Sequence, residues 1–299
     1  MRNVLYRALG QHEDVDVDIY EAHLRAGDRL VLCSDGLTRH VRPAEITAIT
    51  YNTHYMQRGV PGLIRTLSPL QADVIAMQEV LVQNGHVSSQ TIAQHLGMNH
   101  VSSLPYVAYG NSQWVLTILT RYPVLYVDQR LLGANRRALR VLLNVKGHRV
   151  NFVTMHLTPY TNEHPLKEAN QIRSDLRKRE IKDLLEWIGT PPDPVVLLGD
   201  FNMLRGAVRL WGLNEYSLVT SAGYTDADGG FLPTNSDTFP LDEEAKHRAG
   251  EKLPEFLVPS GITLDYVFLA GKISVLSTDV LKSDASDHYP LLARLRVGY

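Results

Sequence analysis

Residues 281–291 have the sequence LKSDASDHYPL, and they place the pair Asp287 and His288 after one strand-like stretch and just before another. The pair combines a carboxylate that can bind a metal ion with an imidazole that can exchange a proton near neutral pH. Polar groups at the ends of apolar strands lie at the rim of a sheet. The stretch therefore predicts a sheet whose rim carries a polar site.

Other polar residues earlier in the chain also end or interrupt hydrophobic runs of strand-like composition. They are Asn52 in AITYNTH, Glu79 in ADVIAMQEV, His156 in NFVTMHLTP, Asp200 and Asn202 in VVLLGDFNM, and Asp265 in ITLDYVFL. Each motif is common by itself, because a histidine after a strand is usually structural and Asp-Phe-Asn can form a simple Asx turn. Their joint occurrence in one chain is much less probable, and it indicates one shared site.

From residue 44 onward, strand-like and helix-like patterns alternate, which predicts an α/β fold. The predicted strands are 46–52, 74–78 (ended by Glu79), 106–109, 114–119, 138–144, 150–156, 195–198, 265–269 and 291–297, and the predicted helices are 62–70, 87–96 and 170–188. In the last helix the apolar side consists of Ile172, Leu176, Ile181, Leu184, Leu185 and Ile188, so its arginines and lysines are expected to face solvent. Residues 225–259 are polar and predict a long surface loop.

The residue types in this set suit the hydrolysis of a phosphate ester. Such a reaction needs an activated water and neutralisation of the charge that builds on phosphorus and on the departing oxygen. Carboxylate and amide oxygens are the ligands that Mg²⁺ or Mn²⁺ prefers, so Glu79 is the leading metal ligand, with Asn52 and Asp287 as partners. Asp200 is the candidate group that orients and deprotonates the water, and Asn202 can donate its amide to a phosphate oxygen.

Two histidines complete the predicted chemistry. His288 can contact the phosphate, while Asp265 fixes its tautomer and raises its basicity. His156 can donate a hydrogen bond or a proton to the phosphoryl group.

Residues 46–299 resemble the endonuclease/exonuclease/phosphatase superfamily, which includes DNase I-like nucleases, apurinic endonucleases, neutral sphingomyelinases and inositol polyphosphate 5-phosphatases. The matching motifs are, in order, TYN at 50–52, DVIAMQEV at 73–80, YGN at 109–111 with LTRYPV at 119–124, MHLT at 155–158, GDFN at 199–202, LDYVF at 264–268 and SDHYP at 286–290. GDFN and SDH are the specific ones. The resemblance implies a four-layer α/β sandwich, in which helices flank two packed, mostly antiparallel sheets. It also implies the site roles given above.

The resemblance further implies residues that contact the substrate. An arginine that binds phosphate is expected from Arg136, Arg137 or Arg140, and Arg137 is favoured, although all three can equally be solvated cations near a turn. Tyr109 and Asn111 are expected to line the cleft, with strand packing as the alternative for Tyr109.

The first 45 residues have a different character, with 6 Arg, no Lys and 8 Asp or Glu. They resemble a carboxy-terminal fragment of PP2C-type serine/threonine phosphatases through RALG, GDRLVLCSDGLT and VRPAEI. In that family the aspartate of SDG binds a metal ion, which corresponds to Asp35 here. Because the companion carboxylates of that family are missing, we expect residues 1–45 to be an extension, not an independent domain, and residues 46–299 to form the catalytic domain.

Composition constrains the setting of the protein. One cysteine in 299 residues excludes an internal disulfide, and the chain has neither a signal-like apolar start nor an apolar run of 18 residues, so we expect a cytoplasmic protein without stable membrane association. Residues 46–299 hold 24 Lys or Arg and 24 Asp or Glu, and this even balance of charge does not indicate that they bind a polyanion. The oligomeric state is left open.

Three substrate classes fit the resemblance, because a fold fixes the reaction better than the substrate. They are nucleic acid, a lipid or small-molecule phosphodiester as in sphingomyelinases, and a phosphomonoester. A binding protein without catalysis is a fourth interpretation, which the intact Glu79, Asp200 and His288 disfavour. The sequence is thus interpreted as a Mg²⁺- or Mn²⁺-dependent phosphodiesterase, with nucleic acid ahead of the other substrates. It leaves open DNA or RNA and endo- or exonucleolytic cleavage.

Overall fold

The structure is a computed structural model that describes residues 43–109, 112–133, 135–205, 214–229, 237–243, 246–247 and 260–298. The chain divides into two units, Met1–His40 and Val41–Tyr299, and the second unit contains every strand and helix described below. The predicted extension, including Asp35, lies almost wholly outside the described residues, so its role stays a prediction.

The described residues form sixteen strands and four α-helices. The strands are β1 (Ala44–Asn52), β2 (Val74–Gln83), β3 (His86–Val87), β4 (Asn99–Ser102), β5 (Val107–Tyr109), β6 (Ser112–Thr120), β7 (Val124–Leu132), β8 (Arg136–Val145), β9 (His148–Met155), β10 (Val195–Asp200), β11 (Thr225–Asp226), β12 (Phe239–Pro240), β13 (Gly261–Ile262), β14 (Asp265–Ala270), β15 (Ile273–Val280) and β16 (Leu291–Val297). The helices are α1 (Val60–Leu67), α2 (Ser89–Leu96), α3 (Leu166–Ile188) and α4 (Glu215–Ser221). Short 3₁₀ turns occur at His54–Met56 and Ser68–Leu70.

These strands build two large sheets and one small pair. The first sheet has the order β15-β16-β1-β2-β6-β4, with β3 beside β2 and β5 beside β6, and the second has the order β11-β14-β10-β9-β8-β7. Strands β12 and β13 pair with each other. Within each large sheet one pair is parallel, β1 with β2 and β9 with β10, and the other pairs are antiparallel.

Alternating side chains of the strands divide the core into three layers. In β10, Val196 and Leu198 belong to the cluster between the two sheets, whereas Val195 and Leu197 join α3 and α4 on the outer face. In the first part of β2 the same alternation places Val74 and Ala76 between the sheets, and it places Ile75 and Met77 in a cluster with α1 and α2. Because strand side chains alternate between faces, a strand with both faces buried is almost continuously apolar. The predicted four-layer α/β sandwich is therefore confirmed.

The elements differ from the sequence prediction in several places. Strand β2 does not end at Glu79 but runs on to Gln83, and β4, β7 and β15 were not predicted. The polar stretch 225–259 is not only loop, because β11 and β12 lie within its described part. In helix α3, Ile172 is 61% exposed and Arg177 is fully buried, so the predicted distribution of its side chains was wrong there.

Candidate active site

The ends of central strands bring four of the predicted residues together at one rim. Asn52 is the last residue of β1, and Asp200 is the last residue of β10. Asp200 pairs in register with Asp265, which begins β14, and His156 forms a β-bridge to Asp200. All four side chains are almost completely buried. The sheet topology therefore gathers groups that are far apart in the chain.

Glu79 reaches this cluster because of an irregularity in β2. The pairing of β2 with β6 shifts register between Met77 and Val80, and Glu79 has the positive backbone angle φ = 53°. Such a bulge inserts an extra residue and re-aims its side chain. The Glu79 carboxylate lies 3.4 Å from Nδ2 of Asn52 and 3.7 Å from Nε2 of His156, with a side chain that is 13% exposed. The bulge thus points a carboxylate into the site from the middle of a strand.

Asn52 holds two carboxylates in place. Its Nδ2 donates to Oδ2 of Asp200 at 2.9 Å and more weakly to Oε1 of Glu79, while its Oδ1 accepts the backbone N–H of His54 at 3.0 Å. The amide oxygen, which was predicted to bind metal, is therefore engaged with the backbone. In this arrangement Asn52 orients the carboxylates, and coordination through Oδ1 requires the amide to rotate.

The two carboxylates hold protons unusually well. Burial, helped by the negative charge of Asp287, raises the pKa of Glu79 to about 7, although the hydrogen bond from Asn52 and the positive charges of His288 and Arg136 oppose the increase. Burial also raises the pKa of Asp200 to about 7, although the positive charge of His288 opposes the increase. Carboxylates that lose hydration without gaining a full counter-charge favour a cation between them. The carboxylate oxygens on this rim are also hard ligands, so they fit a divalent ion such as Mg²⁺.

His288 and Asp265 form a tight ion pair beside Asp200. Nδ1 of His288 lies 2.7 Å from Oδ2 of Asp265, and its Nε2 lies 3.9 Å from Oδ2 of Asp200. Burial lowers the pKa of His288, but the negative charges of Asp265 and Asp200 outweigh it and raise the pKa to about 10. The ring also packs edge-on against Phe239, with the ring centres 5.0 Å apart. His288 is therefore positively charged at neutral pH, with Nε2 directed towards the site.

His156 has the opposite character. Burial, together with the positive charges of Arg136 and His288, lowers its pKa well below the usual value, so the imidazole is neutral. The hydroxyl of Tyr106 accepts the backbone N–H of Glu79 at 3.1 Å and lies 3.1 Å from Nδ1 of His156. When this hydroxyl donates to Nδ1, the single hydrogen of the neutral ring is on Nε2. That hydrogen faces the carboxylates of Asp200 and Glu79, at 3.5 and 3.7 Å.

A second arrangement of metal-binding groups is also present. Asp200, Asp265 and His288 each place a ligand atom within 4.8 Å of the others, so this buried group could hold a metal ion. However, Asp265 and His288 are already joined at 2.7 Å, and an imidazole is a poor ligand for Mg²⁺. Glu79 therefore fits a hard divalent ion better than this trio.

Asp287 lies at the edge of the cluster. Its Oδ2 is 3.5 Å from Nδ1 of His54, and its Oδ1 accepts the hydroxyl of Ser286 at 3.2 Å. The side chain is 32% exposed, more than that of Glu79. Asp287 is thus accessible to an ion that enters from solvent.

Asn202 supports Asp200. Its backbone N–H donates to Oδ1 of Asp200 at 3.0 Å, and its Nδ2 donates to the carbonyl oxygen of Leu157 at 3.3 Å. The left-handed backbone at Asn202, φ = 48°, makes this tight turn possible. One hydrogen of the amide is used in this bond, and the contact of the other with a phosphate oxygen stays a prediction.

The arginine beside the cluster is Arg136, and the preference for Arg137 finds no support in the geometry. The positive charge of Arg136 acts on Glu79 and His156, lowering the pKa of both. Arg137, the next residue of β8, instead donates to Oε1 of Gln129 on β7 at 3.3 Å. Adjacent residues of a strand point to opposite faces, so only one of the two can face the site. Arg140 pairs with Asp128 at 2.9 Å and lies over the ring of Trp187.

Two of the predicted substrate contacts cannot be placed. Asn111 lies outside the described residues, and for Tyr109 only the position in β5 is described. Both stay predictions.

Sequence reasoning missed Tyr106 and His54. Tyr106 precedes a short strand, where a tyrosine is ordinarily a core residue, so no signal distinguished it from Tyr109. His54 is two residues after Asn52, and its proximity to Asp287 depends on a left-handed turn that the sequence THYM does not indicate.

Comparison with known proteins identifies the family to which the chain belongs. Residues 49–288 match the model of the Endonuclease/Exonuclease/phosphatase family. The chain belongs to this family. Among solved structures, the endonuclease/exonuclease/phosphatase from Beutenbergia cavernae DSM 12333 is 17% identical, with a TM-score of 0.67 over 85% of this chain and 72% of that one. TDP2 from D. rerio, complexed with a single strand DNA product, is 18% identical, with a TM-score of 0.58 over 84% of this chain and 98% of that one.

A third match concerns a short stretch. Over 48 residues the chain is 46% identical to the serine/threonine phosphatase stp of Listeria innocua serovar 6a. The match covers 16% of this chain and 19% of that protein, so the chain spans about a fifth of the length of this curated relative. The name of this relative agrees with the resemblance of residues 1–45 to PP2C-type serine/threonine phosphatases.

Members of the family hydrolyse phosphoesters and generally use divalent cations. The described helices include none that is long and apolar enough to cross a membrane.

Proposed function

We propose that the protein is a divalent-metal-dependent phosphodiester hydrolase that acts on nucleic acid. The observation that carries the proposal is a buried carboxylate, Asp200, whose pKa of about 7 suits a general base, placed 3.9 Å from the charged His288. A base and a fixed positive charge side by side are what an attack of water on an anionic phosphate requires.

In the proposed reaction the oxygen of a water molecule attacks phosphorus opposite the leaving oxygen. Asp200 orients this water and takes its proton, and Asn52 and the backbone of Asn202 hold the carboxylate at the required angle. The bond from phosphorus to the leaving oxygen breaks, and that oxygen departs with the electron pair and is protonated from solvent. The products are a phosphomonoester and an alcohol.

The two histidines act on the charge of the phosphoryl group. His288, held by Asp265, presents N–H from Nε2 to a non-bridging oxygen, and this interaction strengthens as the negative charge on that oxygen grows. Neutral His156 donates from Nε2 to the same group. Glu79, with Asp287 and with Asn52 if its amide rotates, would hold a divalent cation, which supplies charge neutralisation for the phosphoryl and leaving oxygens.

Nucleic acid is placed ahead of other diesters because the neighbours of the fold include TDP2 complexed with a single strand DNA product. A lipid or small-molecule diester is the second candidate. It is supported by the even charge of residues 46–299, since a nucleic-acid-binding surface is usually basic.

The test is the hydrolysis of bis(p-nitrophenyl) phosphate in EDTA and after Mg²⁺ or Mn²⁺ is restored, with nicking of supercoiled plasmid in the same buffers. Metal-dependent cleavage of both substrates supports the nuclease. Cleavage of the small diester while the plasmid stays intact supports the second candidate. If neither substrate is cleaved, the phosphodiesterase proposal is wrong.

Variants of single site residues test which side chains the proposed hydrolysis needs. Glu79→Ala and His288→Ala are each expected to fold normally, as judged by circular dichroism, and to lose most turnover. Lys272→Ala, an exposed cation in the turn before β15, is the matched control. Equal activity of the wild type and both site variants would overturn the assignment of these residues.

A further inference from the structure

Two aromatic rings stack beside the candidate active site, and the reaction proposed above does not use them. The rings of Tyr55 and Trp114 have centres 5.1 Å apart and planes only 12° from parallel. Both side chains are partly exposed. Tyr55 lies in the turn after β1, and Trp114 lies near the start of β6, so two separate elements converge to make this pair.

The turn that carries Tyr55 has an unusual backbone. His54, Tyr55 and Met56 have positive φ angles of 45°, 42° and 59°, although none of them is glycine. Such a backbone is strained for a residue with a side chain, and the strain persists only where the surroundings of the residue impose it. The turn is fixed at both ends, because Asn52 accepts the N–H of His54 and Met56 is buried in the core beneath the first sheet. Its geometry directs Tyr55 onto Trp114.

The pair is next to the groups that are assigned to catalysis. The ring of His54 is 4.2 Å from that of Tyr55, and its Nδ1 is 3.5 Å from Asp287. Burial and the negative charges of Glu79 and Asp287 raise the pKa of Tyr55. On the other side, the carbonyl of Trp114 accepts the backbone N–H of Tyr106, whose hydroxyl contacts His156. The aromatic pair therefore borders the site on the side of Glu79.

We propose that the Tyr55–Trp114 pair is a subsite on which a base of the substrate stacks, next to the phosphate that is cleaved. This inference rests on the proposed function, and it narrows the substrate class to diesters that carry a nucleobase. Flat aromatic surfaces bind every base through its π-face, so the subsite holds a strand without selecting a sequence. Trp114 keeps the ring of Tyr55 in one orientation, which reduces the entropy that is lost when a base is bound.

The experiment compares two substrates with the same leaving group. Thymidine 5′-(p-nitrophenyl phosphate) carries a base, and methyl p-nitrophenyl phosphate does not. For the wild-type protein with Mg²⁺ or Mn²⁺, we expect kcat/KM to be about tenfold higher or more for the thymidine ester, because base stacking contributes of that order. In Tyr55→Ala this ratio is expected to fall about tenfold, and Tyr55→Phe is expected to keep it.

Two further variants make the comparison specific. Trp114→Phe keeps a ring in the fold and is expected to lower the ratio less than Tyr55→Ala does. Tyr126→Ala removes an exposed tyrosine from β7 in the other sheet and is expected to leave the ratio unchanged. Thermal melting of every variant identifies any loss of folded protein.

The outcomes separate this inference from the function on which it rests. If the wild type cleaves neither ester, the proposed function itself fails. If it cleaves both and Tyr55→Ala leaves the ratio unchanged, the stacking subsite is wrong while the phosphodiesterase stands. If Tyr55→Ala selectively loses p-nitrophenylphosphorylcholine hydrolysis, the aromatic pair serves a quaternary ammonium headgroup and the base subsite is overturned.

Discussion

The hydroxyl of Tyr106 lies 3.1 Å from Nδ1 of His156 and 3.1 Å from the backbone nitrogen of Glu79. One phenol thus connects the bulge that presents a carboxylate to a histidine that faces the same site. Tyr106 is buried, and burial raises its pKa far above the usual value, so its hydroxyl stays protonated and available as a donor. We therefore expect Tyr106 to act as a positioning residue for His156.

Tyr106→Phe keeps the ring and removes this hydroxyl. We expect kcat for bis(p-nitrophenyl) phosphate to fall about tenfold while KM changes little, because a tautomer that no longer presents N–H from Nε2 mainly affects the transition state. Steady-state kinetics with saturating metal measures both constants. Tyr126→Phe is the control, and a kcat for Tyr106→Phe equal to that of the wild type would contradict the role.

Arg136 and Arg137 allow a test with neighbouring residues of one strand. Arg136→Met removes a charge that acts on Glu79 and His156, so we expect kcat/KM to fall about a hundredfold, as when one donor to a developing oxyanion is removed. Arg137→Met removes a contact to Gln129 and is expected to change kcat/KM less than about twofold. The reverse order of the two effects would restore the sequence-based preference for Arg137.

The strands and their order along the chain were predictable where both faces are buried. Asn52 and Asp200 close β1 and β10, His156 follows β9 and Asp265 opens β14, so the pattern of strand-like runs placed all four residues at strand ends. Strand β7 escaped prediction because it is an edge strand with exposed Leu125, Tyr126 and Val127, which gives no clear alternation.

Features that depend on tertiary contacts were not predictable. The bulge at Glu79 leaves no mark in VIAMQEVLVQ, since the residues on both sides suit a regular strand. In α3, the pattern assigned arginines to solvent, but the buried carboxylate of Glu215 on α4 provides a partner for Arg177. A charged residue is buried only when such a partner exists, and the partner is known only from the fold.

Glu180 predicts a pH dependence of stability. Its carboxylate is fully buried and accepts the backbone N–H and the hydroxyl of Thr158, and burial raises its pKa in the folded protein. A raised pKa means that the folded state binds the proton more tightly than the unfolded state does. The stability that proton binding to Glu180 contributes is therefore fully present below the pKa of the unfolded state, near 4.5. It is lost as pH rises through the pKa of the folded state.

The measurement is urea unfolding of the wild type and of Glu180→Gln at pH 5 and pH 8. Other groups titrate in both proteins, so their difference isolates Glu180. We expect the free energy of unfolding of the wild type to decrease more between these two values than that of the variant. An equal decrease in both proteins would show that Glu180 does not titrate differently in the folded state.

The buried pair of Arg177 and Glu215 predicts a large loss of stability when only one partner is removed. The guanidinium lies 2.9 Å from Oε1 of Glu215, donates to the carbonyl of Thr158 at 3.0 Å and sits 4.2 Å above the ring of Tyr160. Both charged side chains are almost fully buried. Arg177→Met leaves the Glu215 carboxylate without its partner, and we expect the free energy of unfolding to fall by about 3–5 kcal/mol.

Replacing both residues distinguishes two effects on the free energy of unfolding. One is the stability that the ion pair contributes, and the other is the destabilisation by a buried charge that has lost its partner. In Arg177→Met/Glu215→Leu no buried charge remains from the pair, so we expect more than half of the lost stability to return. Arg179→Met, at an exposed position of the same helix, is the control and is expected to change the free energy of unfolding by less than about 0.5 kcal/mol. If urea unfolding shows the double variant to be as unstable as Arg177→Met, the stability comes from the remaining contacts of the guanidinium to Thr158 and Tyr160, and not from relief of the buried carboxylate.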